Sequence, residues 1–134
     1  MKKGYKDNIE KLTTENISFR KVLYTGEESQ LVLMNLIPGE EIGSEVHPDN
    51  DQFFRFESGN GDVRINDVDY SVTDGDAVIV PKGATHNVIN TGKVALKFYT
   101  IYSPAHHKDG IERMTKEEAL SQEAEFDGIT TELN

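Results

Sequence analysis

From Ile17 onward, apolar and polar residues alternate in short runs, and Gly, Asp, Asn or Pro ends each run within a few residues. A period of two places alternate side chains on opposite faces of a strand. The pattern predicts strands near Ser18–Tyr24, Gln30–Ile37, Glu45–His47, Gln52–Ser58, Asp62–Asn66, Val68–Val72, Ala77–Val80, His86–Asn90 and Ala95–Tyr102. Pro38-Gly39, Gly59-Asn60-Gly61, Asn66-Asp67, Asp74-Gly75 and Pro81-Lys82-Gly83 supply the reversals between them, since Pro presets φ and Gly or Asn tolerates positive φ. Alternation also assigns faces. Val63 and Ile65 oppose Asp62, Arg64 and Asn66, and Val68, Tyr70 and Val72 oppose Asp69 and Ser71, so one face of this hairpin is expected to be core. Phe54 and Phe56 share a face with Gln52 and are expected to line the interior, with Phe53, Arg55 and Glu57 outside. In the last run Leu96, Phe98, Thr100 and Tyr102 point inward and Lys97 outward, which offers the Tyr102 hydroxyl to the same interior.

Two helical signals flank the strands. Thr115-Lys116-Glu117-Glu118 reads as a capping box that opens a short helix over Lys116–Ala124, and a weaker signal at Ile9–Leu12 suggests a segment lying across the strands. Between strands and C-terminal helix, His106-His107-Lys108-Asp109-Gly110 reads as a polar loop with both histidines at the surface, and the tail beyond Phe126 as loose. With 134 residues the chain has material for a single core, so one domain over 1–134 is expected, its strands within about 18–104 and a loop and helix in 105–134. Closely spaced strands without crossover helices make it all-β, a sandwich or barrel.

Charge and cysteine content then narrow the chemistry. A net charge of -10 repels phosphate backbones and anionic lipid, so neither nucleic acid nor membrane is an expected partner. The longest apolar stretch, Leu31–Ile37, is far too short to span a bilayer, and Lys2 and Lys3 are followed by polar residues rather than an apolar run, so a cytoplasmic location is expected. Without cysteine, any chemistry rests on His, carboxylates, amides or hydroxyls.

Those groups gather in two segments. Glu45 and His47 are two apart, so on a strand both emerge from one face and can converge on one ion, and a turn over Pro48–Asp51 would return Gln52 opposite them as a hairpin. The second segment is a strand, a Pro81-Lys82-Gly83 reversal and a strand opening with His86. Together they resemble the paired motifs of the cupins. The first cupin motif runs Gly, five residues, His, one residue, His, three or four residues, Glu, six residues, Gly; Gly39, Glu45, His47, Gln52 and Gly59 occupy those places. The second runs Gly, five residues, Pro, one, Gly, two, His, three, Asn, and Gly75, Pro81, Gly83, His86 and Asn90 match it in full.

The resemblance implies a double-stranded β-helix, or jelly-roll barrel, with a short C-terminal helix, as in the small single-domain bacterial cupins grouped as mannose-6-phosphate-isomerase-like. It also implies one divalent metal ion, Fe, Mn, Ni or Zn, held by Glu45, His47, Gln52 and His86. The family set of three His and one Glu is altered here, with Glu45 at the first His and Gln52 at the Glu, yet one carboxylate remains in either set. Two His and one carboxylate suit Fe(II) among other ions, and Gln52 stands open between ligand and hydrogen-bonding neighbour. The implied function is a metalloenzyme acting on a small polar or carbonyl-bearing metabolite, as isomerase, dioxygenase or decarboxylase. The alternative is a non-catalytic small-molecule binding or sensing barrel. A homodimer is implied as well, with Phe53 and the N-terminal strand as contributors.

Overall fold

The computed structural model describes residues 1–132, and the last two positions of the C-terminal segment lie outside them. Nine strands appear where alternation predicts them: β1 (Arg20–Thr25), β2 (Gln30–Leu36), β3 (Glu45–Val46), β4 (Asp51–Ser58), β5 (Asn60–Ile65), β6 (Val68–Thr73), β7 (Ala77–Val80), β8 (Thr85–Asn90) and β9 (Leu96–Ser103). A two-residue β10 (Glu112–Arg113) is added beside β1, where the sequence shows no strand pattern. The strands form two antiparallel sheets, ordered β10-β1-β2-β9-β4-β7 and β3-β8-β5-β6. This is the jelly-roll architecture, with a short helix α2 (Lys116–Ser121) near the C-terminus. Thr115 caps α2 by accepting from the Glu118 amide, as the capping box requires.

The inner faces meet in one core built from Val32, Met34 and Leu36 of β2, Phe54 and Phe56 of β4, Phe98 of β9, and Val63 and Val88 of the smaller sheet, all fully buried. Phe56 and Phe98 pack with ring centroids 5.1 Å apart, within the range that adds to area burial. Two motif residues shape this end of the sandwich. Gly59 has φ 90, and a Cβ there would run into the Ala95 carbonyl, so only glycine lets β4 pass that close to the turn into β9. Asn90 is buried and fully bonded: its Nδ2 donates to the Leu36 and Val94 carbonyls, each at 2.9 Å, and its Oδ1 accepts from the Gly92 amide.

Four expectations need correction. β3 and β4 do not form a hairpin, because they lie in different sheets; the turn after His47 crosses the sandwich. In β6 only Val72 is buried, while Val68 and Tyr70 are exposed, because β6 is an edge strand. Glu57, expected outside, is buried: it sits at the irregularity between Phe56 and Ser58 where the β4–β9 register shifts, on the strand over which helix α1 (Ile9–Glu15) packs together with β9 and β2. There the Arg55 guanidinium compensates it at 2.9 Å, and Lys97 Nζ ties α1 down through the Thr14 carbonyl. The tail beyond Phe126 is not loose as far as residue 132. The Thr131 amide donates to the Thr25 carbonyl, and Glu132 accepts from the Tyr24 hydroxyl and from the amides of Lys3 and Gly4.

Candidate metal centre

β3 is too short to be stable alone, and β8 positions it. The Ile42 amide donates to the Val88 carbonyl, the Gly43 amide to Asn87 Oδ1 and the Gly83 amide to the His47 carbonyl, each at 2.9 Å, so segment 42–47 is laid along β8. The resulting register sets Glu45 directly opposite His86. Val46 faces solvent, and His47, two residues from Glu45, turns inward with it. Ligand atoms of Glu45, His47 and His86 then lie within 4.8 Å of one another.

Hydrogen bonding sets this cluster apart from buried groups such as Gln30 and Asn90, whose side chains are fully bonded. His86 is 2% exposed, and neither ring nitrogen makes an aligned hydrogen bond among the described residues, although the Ala84 backbone acts on the ring. His47 Nε2 lies 2.9 Å from Glu45 Oε2 but lacks hydrogen-bond alignment. Buried polar atoms without partners cost about 1–3 kcal/mol each, so a fold retains them where something else satisfies them. Donor atoms that converge at ligand distance, with His86 left unpartnered beside the Glu45–His47 contact, suit a cation. Burial works to raise the Glu45 carboxyl, yet the His47 ring against it, with Arg20 and His86, holds it below the ordinary carboxylate range. Burial and the neighbouring His47 lower His86, so its imidazole is neutral and able to coordinate.

Gln52 sits buried on the inner face of β4, its Nε2 donating to Thr100 Oγ1 at 2.9 Å while its Oε1 has no partner. Tyr102, directly across from Gln52 in the β4–β9 register, stands edge-on to His47 with ring centroids 5.6 Å apart. Burial pushes its hydroxyl upward, so Tyr102 stays protonated. Phe54 reaches His86 at 6.1 Å between centroids, whereas Phe56 packs on Phe54 and Phe98 deeper in the core.

The histidine loop is not a surface feature. Gln30, 1% exposed, accepts from the amides of both His106 and His107 through one oxygen and donates to the His107 carbonyl at 2.7 Å. This buried amide folds the chain back after β9. His107 is buried, with Nε2 3.3 Å from the Tyr102 hydroxyl, and the His106 ring lies 4.3 Å from that of His47. Burial lowers both imidazoles, His107 strongly. The His106-His107 pair was the only available sequence signal; nothing in the strand pattern singles out Arg20, which lines a cavity of about 110 Å3 with Glu45, His106, His107 and Arg113.

The fold coincides with that of a known family. Residues 32–102 match the cupin domain, and the chain belongs to the cupins. It is 43% identical over 122 residues to the uncharacterized protein YrkC of Bacillus subtilis, covering 87% of this chain and 66% of that protein, just under two thirds of its length. The crystal structure of BH2720 from Bacillus halodurans superposes with a TM-score of 0.88 at 40% identity, covering 90% of this chain and 96% of that one. A Klebsiella pneumoniae protein with a double-stranded β-helix domain matches with a TM-score of 0.65 at 22% identity over 76% of this chain and 91% of its own, a likeness of fold alone.

Proposed function

We propose that this cupin binds one divalent metal ion per barrel and acts on a small polar or carbonyl-bearing metabolite. The observation that carries the reading is the convergence of Glu45, His47 and His86 within 4.8 Å, with both buried His86 nitrogens unpartnered. Such an ion, of the Fe, Mn, Ni or Zn type, supplies Lewis-acid polarisation of a bound oxygen. The chain itself does the rest. Glu45 brings the single negative charge, and its carboxylate is ionised before any ion arrives. The His106 ring packs against His47 and shields that side from water, and Tyr102 keeps a protonated hydroxyl beside the cluster. Gln52, with its nitrogen tied to Thr100, has one free oxygen to steer a ligand or complete the site. A cavity of about 110 Å3 adjoins the cluster at Glu45 and suits a substrate of a few carbons. Isomerisation, dioxygenation and decarboxylation all fit this apparatus, because fold does not determine reaction.

A cytoplasmic location is part of the same proposal. No helix among the described residues is long and apolar enough to cross a membrane. A second copy of this chain is the proposed partner. Tyr24, Leu31, Ile101, Phe53 and Ile79 are register neighbours in one row across the outer face of the larger sheet, and Ile79 is 67% exposed. Light scattering that returns a 15.0 kDa species overturns the dimer.

Elemental mass spectrometry on protein purified without chelator tests the metal reading. The expected result is about one equivalent of transition metal, lost in His86→Ala while circular dichroism stays unchanged. Wild-type protein that is empty and takes up no added Fe(II), Mn(II), Ni(II) or Zn(II) overturns it and favours the non-catalytic binding barrel.

A further inference from the structure

The chain has four arginines, and three are engaged. Arg55 pairs with Glu57 at 2.9 Å and Arg64 with Asp69 at 3.2 Å. Arg113 directs Nε and Nη2 to the Gln122 carbonyl, at 3.1 and 2.8 Å. Arg20 differs from all of them. Among the described residues it has no ion pair, and its Nε is buried with no hydrogen-bond partner. In a chain with 24 Asp and Glu against 14 Lys and Arg, an unpaired half-buried guanidinium is not forced by any shortage of carboxylates.

Its position adds to the anomaly. Arg20 and Arg113 face each other directly in the β1–β10 register, and like charges placed opposite are unfavourable unless an anion joins them. Both line the cavity that also contains Glu45 and His106. The Arg20 guanidinium lies 5.3 Å from the Phe19 ring centroid, a contact that restrains it on the cavity wall. The exposed Glu123 and Glu125 stand on the rim of the same cavity, so its own charge leans negative; a divalent ion on Glu45, His47 and His86 tips it positive. An anion therefore enters most favourably beside a bound ion.

We propose that Arg20 is a carboxylate-binding residue, and that the cavity takes a small carboxylic acid with a neighbouring carbonyl or hydroxyl, of the 2-oxo or 2-hydroxy acid class. The Arg20 guanidinium donates to the carboxylate, and the adjacent oxygen faces the Glu45, His47 and His86 cluster. This deepens the metal-site reading and, for that second contact, rests on it.

Pyruvate and its uncharged counterpart hydroxyacetone are suitable probes, titrated into the full chain in chelator-treated and Zn(II)-loaded forms. The arginine Nε–H signals are followed by 15N NMR, with metal content measured alongside. Pyruvate is expected to move the Arg20 signal in at least one form, hydroxyacetone is not, and Arg20→Gln is expected to weaken pyruvate binding about 10- to 100-fold with bound zinc unchanged. An Arg20 signal that stays still with pyruvate in both forms, or moves equally with hydroxyacetone, overturns the proposal, as does undiminished binding by a folded Arg20→Gln variant. If that variant does not fold, the wild-type signal still decides. Zinc that fails to bind while pyruvate moves Arg20 overturns the metal reading and leaves the carboxylate site standing.

Discussion

His86 and Asn90 lie four residues apart on β8, both on its inner face and both essentially buried, yet their surroundings are opposites. Asn90 has both side-chain atoms bonded and ties β8 to the end of β2 and to the turn before β9. His86 has no aligned hydrogen bond on either ring nitrogen among the described residues. One strand thus ends in architecture and opens in a site, and what distinguishes them is whether the fold itself satisfies the buried polar group. The same test separates Gln30, fully bonded and holding the histidine loop, from Gln52, whose oxygen is free.

This contrast can be broken most forcefully at Asn90. Asn90→Ala strips partners from two carbonyls and one amide, and is expected to cost about 3 kcal/mol or more in urea denaturation while metal per folded molecule stays constant. A loss below about 1 kcal/mol would remove Asn90 from the architectural class.

The next effect is on pH. His86, His106 and His107 all have folded-state values lowered from an ordinary 6.5, so below that value the unfolded chain binds more protons than the folded one. Stability of the metal-free protein is therefore complete above 6.5 and is lost as pH falls from there toward the lowered values. Glu45 acts further down: its lowered value contributes stability above 4.5 that is lost as pH falls through its folded value. Urea midpoints measured downward from neutral pH should fall in wild type and fall less in His107→Gln. An equal decline in both would take His107 out of the account.

At His86 the expected stability effect is small. In chelated protein, His86→Ala removes two unbonded buried nitrogens along with the ring's packing, and the net change is expected within about 1 kcal/mol by thermal unfolding, against complete loss of bound metal. A large loss in the metal-free protein would make His86 structural. Smallest of all is Asp69→Asn, which breaks an exposed pair on the β5–β6 hairpin and is expected to shift stability by less than about 0.5 kcal/mol.

The contrast also explains what could be read in advance. Glu45, His47, Gln52, His86 and the glycines stand out because motif spacing is local and alternation assigns faces residue by residue. That Glu57 is buried could not be read, since the alternation of β4 breaks at the register shift between Phe56 and Ser58, which only pairing with β9 reveals. His106 and His107 look like loop residues because nothing near them marks Gln30, 77 positions from His107, as their anchor. Val68 and Tyr70 alternate like core residues, but the pattern carries no information on whether a strand ends up at a sheet edge.

From its residues alone, then, this chain is determined as an all-β cupin with a two-histidine, one-carboxylate candidate site, because strand periodicity and short-range spacing are properties of neighbouring residues. Tertiary structure decided the rest: the pairing of Glu45 with His86 across β3 and β8, the histidine loop folded over the mouth, and the unpaired Arg20 on the cavity wall. Those features depend on which distant segments meet, and long-range pairing is set by the burial and hydrogen bonding of the whole sandwich rather than by any local run of residues.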